Sequence, residues 1–475
     1  MPQNNFYITT TLPYTNSDPH IGFATELIKA DVIARWHALQ GDRVFFNTGT
    51  DEHGLKIYQK AQEASLSVRD YCEPYADKFK SLKELLNLSF TNFIRTTDEN
   101  HVVAAQDFWK LCEASGDIYK KNYQVKYCVG CEMEKTESDL VAGYCPLHPK
   151  QDLEIIDEEN YFFRFSKYTE PLLKFYDTHP DFVIPEHRFK EIRNFVTSGL
   201  QDFSISRLKS KMPNGVPVPG DDSQVIYVWF DALVNYISTL GWPETEGDFK
   251  NFWPGMQVCG KDNLRQQTAM WQAMLMSAGL PNSKQVLIFG FLTFNGQKIS
   301  KSSGNAVDPV EFANKYGADT LRYYLLTDIL PFEDGDFSEN RLRLKYNSDL
   351  ANGLGNLAAR VAALLEKNEI ITSLAVVNSA WNGEFIKVIN AYKYNEALAI
   401  LWDQIRVCNE KLSVSAPWKM EDKEEISRVL IPIAQEILNV TYYLQIFMPE
   451  TAAKLMAQFS AEQIEKGESL FPRLI

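Results

Sequence analysis

The sequence has 475 residues, 45% of them hydrophobic, with 48 Lys and Arg against 62 Asp and Glu for a formal net charge of −14. At roughly 150 residues per domain this length calls for several domains, and the apolar share excludes a disordered or low-complexity chain. The start, MPQNNFYITTTLPY, carries no targeting pattern, and no run nears the roughly 18 apolar residues of a membrane span, so a cytoplasmic protein with no membrane partner is expected. An acidic average does not exclude nucleic acid, which needs only a locally basic surface.

Residues 6–11 (FYITTT) read as a strand, and 22–39 set Phe23, Leu27, Ala30 and Ala34 on one helical face that Gly41 closes. A second strand over 44–47 runs into Gly49-Thr50-Asp51-Glu52-His53-Gly54. Strand, helix, strand in that order predicts an α/β fold with a Rossmann-type parallel sheet, which binds ligands at strand carboxyl ends. From 116 to 224, short strand-like pieces such as 118–121, mixed charges and several prolines indicate an inserted domain. The α/β pattern resumes with 225–230 (VIYVWF) as a strand, a helix over 231–240 and a buried strand over 286–294, and Asn295-Gly296 makes a turn. Beyond about 340 strand signals vanish, and amphipathic stretches near 349–367, 384–412 and 423–447, broken at Pro417 and Pro432, predict an α-helical bundle. The expected domains are 1–115, the insertion 116–224, 225–294, a connecting segment 295–340 and the bundle 341–475. With no further domain after the bundle, a monomer is expected.

Three motifs carry chemistry. Pro19-His20-Ile21-Gly22 sits where the first strand hands over to a helix, whose backbone N–H groups and positive end suit phosphate, with Gly22 permitting close approach. Lys298-Ile299-Ser300-Lys301-Ser302 follows a buried strand and offers two mobile point charges for a polyphosphate, where lysines and Mg²⁺ stabilise charge developing on ATP. Cys128-x2-Cys131-x13-Cys145-x2-His148 is the most specific signal, because paired ligands two residues apart form knuckles around a tetrahedral Zn²⁺. Four protein ligands leave no open position, which marks one structural zinc that holds the insertion together.

The first two motifs together resemble the paired motifs of class I aminoacyl-tRNA synthetases, and YITTTLPYTNSDPHIG, GTDEHG, FIRTTD, VWFDALVNYIS and NGQKISKSSGN resemble the methionyl branch, in the family's order from Phe6 to about Trp418. The resemblance implies activation of methionine with ATP and Mg²⁺ to methionyl-adenylate, then transfer to the 3′ end of tRNA(Met). It implies that His20, Gly22, Lys298 and Lys301 serve catalysis and, with Gly260, Asp262, Ser300 and Ser302, hold ATP. It further implies an amino-acid pocket of Leu12, Tyr14, Trp229, Ala232 and Tyr236, with Asp51 accepting from the substrate ammonium. Aromatic walls suit a flexible, polarisable thioether. Asn356 and Arg360, four apart on one helix face, and Trp418 after Pro417 match the positions with which the family reads the CAU anticodon, by stacking and base-edge hydrogen bonds. The insertion's knuckles correspond to ones the family sets against the tRNA acceptor end.

Only seven histidines are present, at 20, 37, 53, 101, 148, 179 and 187, and three positions depart from the family. Phe23 ends the first motif where a second imidazole is expected, and losing such a donor commonly costs about 2.7–4 kcal/mol. Gln267 stands in Arg265-Gln266-Gln267 where the family has Arg-Phe-His, and can still donate a hydrogen bond. Phe289 replaces a pocket histidine and makes the methionine end more apolar or more crowded. Two other readings stay open: a diverged paralogue that adenylates another amino acid or uses another acceptor, and a non-catalytic tRNA-binding protein. The anticodon triplet of residues favours tRNA charging over the first, and His20, Asp51, Lys298 and Lys301 favour an enzyme over the second.

Overall fold

The computed structural model describes residues 4–131, 133–135, 139–294, 296–298, 307–377 and 379–474. Contacts divide the chain into two compact units, one of Met1–Pro19, Gly41–Ser81 and Phe90–Phe289, the other of His20–Gln40, Leu82–Ser89 and Gly290–Ile475.

The first unit is built on a parallel sheet of six strands: β1 (Asn5–Thr9), β2 (Arg43–Thr50), β3 (Asn92–Arg95), β4 (Val183–Ile184), β5 (Met256–Gly260) and β6 (Gln285–Phe289). They lie in the order β3-β2-β1-β5-β6-β4, with every recorded pairing parallel. β6 is apolar on both faces, with Val286 to Phe289 all buried, because a parallel sheet is covered on both sides. Strand order reverses between β1 and β5, where Ile8 pairs with Met256 and Thr9 with Gln257. That switch point opens a crevice at the carboxyl ends of the two strands.

Between β3 and β5 the chain adds a four-stranded antiparallel sheet, in which Ile118–Cys128 pairs with both Met133–Lys135 and Glu154–Phe163, and the latter with Phe203–Ser204. Val183 and Ile184, within the stretch read as an insertion, return to the parallel sheet beside β6. A strand of two residues carries no periodicity to read.

Two readings of this region are corrected. Val225 and Ile226 belong to a strand, Asp221–Ile226, but it lies in a small antiparallel sheet with Ser206–Leu208 and Pro217–Val218, and the same apolar run continues as the helix Val228–Ala232. A continuous apolar run does not separate a buried strand from a buried helix, and the parallel sheet resumes only at Met256. The apolar stretch 286–294 is two strands, β6 and Leu292–Phe294, interrupted at Gly290, where a Cβ would lie 2.0 Å from the Glu333 carbonyl oxygen.

The second unit contains the helix Ile21–Leu39, a three-stranded sheet of Leu292–Phe294, Gln297–Lys298 and Gly335–Phe337, and then helices. The stretch 349–367 begins as π-helix within Tyr346–Gly355 and becomes α-helix over Asn356–Lys367. The stretch 384–412 is two helices, Asn382–Asn390 and Tyr394–Ser415, parted at Tyr392, whose φ is +59°. Pro417 does end a helix: Ala416 takes φ +44° and Pro417–Lys419 make a 3₁₀ turn. Pro432 does not, because Lys423–Leu444 runs through it; buried Leu430, Ile433, Ala434 and Ile437 hold the helix despite the missing N–H. Among the described residues no helix is long and apolar enough to cross a membrane.

Candidate active site and metal centre

At the carboxyl ends of β1 and β2 the chain continues as a parallel bridge between Tyr14 and Asp51. The Asp51 N–H donates to the Pro13 carbonyl at 2.9 Å and the Thr15 N–H to the Asp51 carbonyl at 3.2 Å. The Asp51 carboxylate is nearly buried, and its Oδ1 accepts from the Thr96 hydroxyl at 3.2 Å and the His53 N–H at 3.3 Å. Glu52, next in the loop, accepts from Arg95 Nε at 2.6 Å, Thr50 at 2.9 Å and Thr97 at 2.5 Å. The loop is therefore held on both sides of Asp51.

The third anchor is Asp231. Its Oδ2 lies 2.6 Å from His53 Nδ1 and its Oδ1 3.0 Å from His101 Nε2, while His101 Nδ1 is 2.9 Å from the Ser238 hydroxyl. Burial pushes the Asp231 carboxyl up, but the charge of His53 and hydrogen bonds from both rings outweigh it and hold the pKa at about 2. Asp231 lies between Trp229 and Ala232 in the sequence, so this contact ties the helix carrying both of them to the Asp51 loop.

Tyr14 and Trp229 pack together against a buried cluster of Tyr127, Tyr227 and Val228. Trp229 Nε1 is buried without an acceptor among the described residues. The Arg207 guanidinium lies 4.3 Å from the Tyr227 ring centroid and 5.2 Å from that of Tyr127, a buried cation on the aromatic faces behind the cluster. Tyr236 accepts from Gln267 Nε2 at 2.6 Å. Phe289, buried at the end of β6, sits opposite Gly260 at the end of β5, and Asp262 follows in the turn Lys261–Asn263 with its side chain exposed. Leu12 and Ala232 are half-buried beside these groups in the chain.

In the second unit His20 is the N-cap of Ile21–Leu39. Its Nδ1 accepts from the Gly22 N–H at 3.1 Å and the Phe23 N–H at 3.3 Å, and the Ile21 N–H donates to the Val307 carbonyl at 2.9 Å. A Cβ on Gly22 would press on the imidazole at 3.0 Å. The N–H groups read from the sequence as a phosphate cradle are thus used within the chain, because a side-chain acceptor one turn away reaches them first. With Nδ1 an acceptor, the neutral ring carries its proton on Nε2. Phe23 is buried. Lys298 pairs through its backbone with Thr293, whereas Ser300, Lys301 and Ser302 lie outside the described residues. Asn356 is exposed on Asn356–Lys367, and one turn later the Arg360 guanidinium lies 5.1 Å from the ring centroid of Trp418, itself 44% exposed.

Cys128, Cys131, Cys145 and His148 converge, with all four ligand atoms within 4.8 Å of one another. His148 Nδ1 is 3.2 Å from Cys131 Sγ, 3.6 Å from Cys128 Sγ and 3.9 Å from Cys145 Sγ, and the Cys131 and Cys145 sulfurs are 3.4 Å apart. Tetrahedral coordination at ~2.3 Å to sulfur and ~2.0 Å to nitrogen requires edges of roughly 3.5–3.8 Å, so this donor set fits a metal ion. A Cβ on Gly130 would lie 2.6 Å from the His148 ring, so the knuckle needs glycine there.

The model for the family "tRNA synthetases class I (M)" matches residues 6–154 and 149–362. A methionine–tRNA ligase of Thermotoga maritima is 41% identical over 485 residues, covering 98% of this chain and 77% of the relative. One of Nostoc sp. is 39% identical over 478 residues, covering 96% and 90%. The chain belongs to the methionine–tRNA ligase family. The solved methionyl-tRNA synthetase of Mycobacterium tuberculosis in complex with methionyl-adenylate superposes with a TM-score of 0.91 at 34% identity, over 99% of this chain and 100% of that one.

Within this family member, several groups escaped the sequence reading. His53 lies inside the quoted GTDEHG and Thr96 inside FIRTTD, yet only Asp51 was singled out. His101, Arg207 and Gln257 stand in no motif, and only the closed fold reveals their partners.

Proposed function

We propose that this chain is a methionine–tRNA ligase that activates methionine with ATP to methionyl-adenylate and passes the methionyl group to the 3′ end of tRNA(Met). The observation that carries the reading is the Tyr14–Asp51 bridge at the strand ends, in a chain of this family. An anion buried beside aromatic walls suits the ammonium and side chain of an uncharged amino acid. In the first step a carboxylate oxygen attacks the α-phosphorus and pyrophosphate leaves with the bonding electron pair; in the second, the terminal ribose hydroxyl attacks the acyl carbon and AMP leaves.

Asp51 accepts from the α-ammonium, its oxygen aimed by Thr96 and His53. His20 offers Nε2–H to a phosphate oxygen, since its Nδ1 is occupied at the helix start. Lys298 and Lys301, with Ser300 and Ser302, gather the charge that leaves with pyrophosphate, while Gly260 and Asp262 flank the nucleotide. Mg²⁺ accompanying ATP adds to that charge neutralisation. Cys128, Cys131, Cys145 and His148 hold one structural Zn²⁺, a role favoured by three thiolates, one imidazole and no open position. Asn356, Arg360 and Trp418 read the anticodon. The direct test is charging of purified tRNA(Met) with radiolabelled methionine: ATP-dependent, acid-precipitable label supports the reading, and its absence contradicts it.

A further inference from the structure

Gln267, at a position where the resemblance implies a histidine, is a buried amide of which the function above makes no use. It is 1% exposed, within the π-helical turn Gln266–Met270. Its amide is engaged at both ends: Gln257 of β5, equally buried, donates from Nε2 to Gln267 Oε1 at 2.8 Å, and Gln267 Nε2 donates to the Tyr236 hydroxyl at 2.6 Å. An amide whose oxygen is taken by one neighbour has its NH₂ to give to the other, so with Gln257 Nε2 donating, direction runs from the sheet outward to the phenol, while Gln257 Oε1 is buried without a partner among the described residues. The Tyr236 oxygen accepts from Gln267, which turns its O–H proton away from the Gln267 NH₂. The rest of Tyr236 is fixed too: its ring meets Trp271 edge-on at 6.0 Å, and its carbonyl accepts from the Tyr7 hydroxyl at 2.9 Å.

We propose that Gln257 and Gln267 are positioning residues for the amino-acid pocket, which in series set the direction of the Tyr236 hydroxyl with groups that carry no charge. The inference rests on the reading of Tyr236 as a pocket residue. A neutral imidazole at 267 has one donor and one acceptor and can complete the same chain; a protonated one has two donors and meets the Gln257 NH₂ donor against donor. Two amides in series do not switch in this way. The titratable groups recorded against the relay are the Tyr7 and Tyr176 phenols, on the carbonyls of Tyr236 and Thr268, both pushed up by burial. Arg265, just before the turn, lies over the Phe195 ring at 4.4 Å.

The test is methionine KM in ATP–pyrophosphate exchange from about pH 5.5 to 8, with ATP KM and the thermal midpoint measured alongside, for the native chain, Gln267→His, Gln257→Met and Tyr236→Phe. Relative to the native chain, Gln267→His is expected to match at about pH 8 and to show a methionine KM roughly tenfold higher below about pH 6, with ATP KM unmoved. Gln257→Met, which releases the Gln267 amide, is expected to raise methionine KM severalfold at every pH. A Gln267→His profile parallel to the native one, together with a Gln257→Met change confined to the thermal midpoint, would overturn the relay. A Tyr236→Phe chain with native methionine KM would instead overturn the pocket reading on which it rests.

Discussion

Arg322 and Asp31 form an ion pair at 2.7 Å with both side chains fully buried. Asp31 also accepts from Arg35 Nε at 2.7 Å and from the Ser89 N–H and hydroxyl, each at 2.6 Å. Arg322 donates to the Phe447 carbonyl at 2.6 Å, the Leu86 carbonyl at 3.2 Å and the Ile446 carbonyl at 3.3 Å. One charge pair therefore joins the helix Ile21–Leu39, the segment Leu82–Ser89, the helix Ala318–Asp328 and the turn that follows the helix Lys423–Leu444. Removing one partner leaves a buried charge uncompensated, so Arg322→Met is expected to lose about 3–5 kcal/mol of stability in denaturant titration. Asp31→Leu combined with Arg322→Met should cost less than the sum of the two single changes.

Asp231 sets an acid limit. Its carboxyl is lowered from 3.8 to about 2 in the folded chain. A depressed carboxyl contributes stability above its unfolded pKa and loses it as pH falls through the folded one, here between about pH 4 and 2. Asp231→Asn removes that contribution, so its urea midpoint should fall less between pH 5 and pH 3 than that of the native chain.

The sheet and its site were legible to different depths. FYITTT followed by an apolar-rich helix and a second strand announced the parallel sheet through the order of the elements, although the helix Ile21–Leu39 is buried nearly all round rather than on the one face its spacing predicted. VIYVWF did not announce its break from strand to helix, since a run of six apolar residues looks alike in either form. Asp51 was legible through its motif, but His53 and His101 reach Asp231 across 178 and 130 positions, and pairings at such separation leave no local trace. Gln267 was visible as a substitution, whereas Gln257, which gives it direction, was not. His20 was read as a phosphate ligand, and in the structure its Nδ1 caps the helix Ile21–Leu39.

The metal centre predicts one zinc per chain by elemental analysis of the purified protein. Cys145→Ser should lose that zinc and speed amide exchange between Ile118 and Phe163, while the strands β1, β2, β5 and β6 stay protected. Native protein free of metal, with the same exchange pattern, would count against a structural zinc.

The Arg360–Trp418 stack predicts a separation of the two reaction steps. Base stacking on an aromatic is worth about 1–3 kcal/mol, so Trp418→Ala should reduce kcat/KM for tRNA charging by roughly 5- to 150-fold. ATP–pyrophosphate exchange without tRNA should be unchanged. An equal loss in both assays would place Trp418 outside anticodon reading.

The central claim is tested most directly by ATP–pyrophosphate exchange with each proteinogenic amino acid in turn, on the native chain and on Asp51→Asn. Exchange with methionine, and a methionine KM raised roughly tenfold or more in the variant as a charge-assisted contact is lost, is the predicted result. Exchange with a different amino acid only, or with none while tRNA still binds, would contradict it.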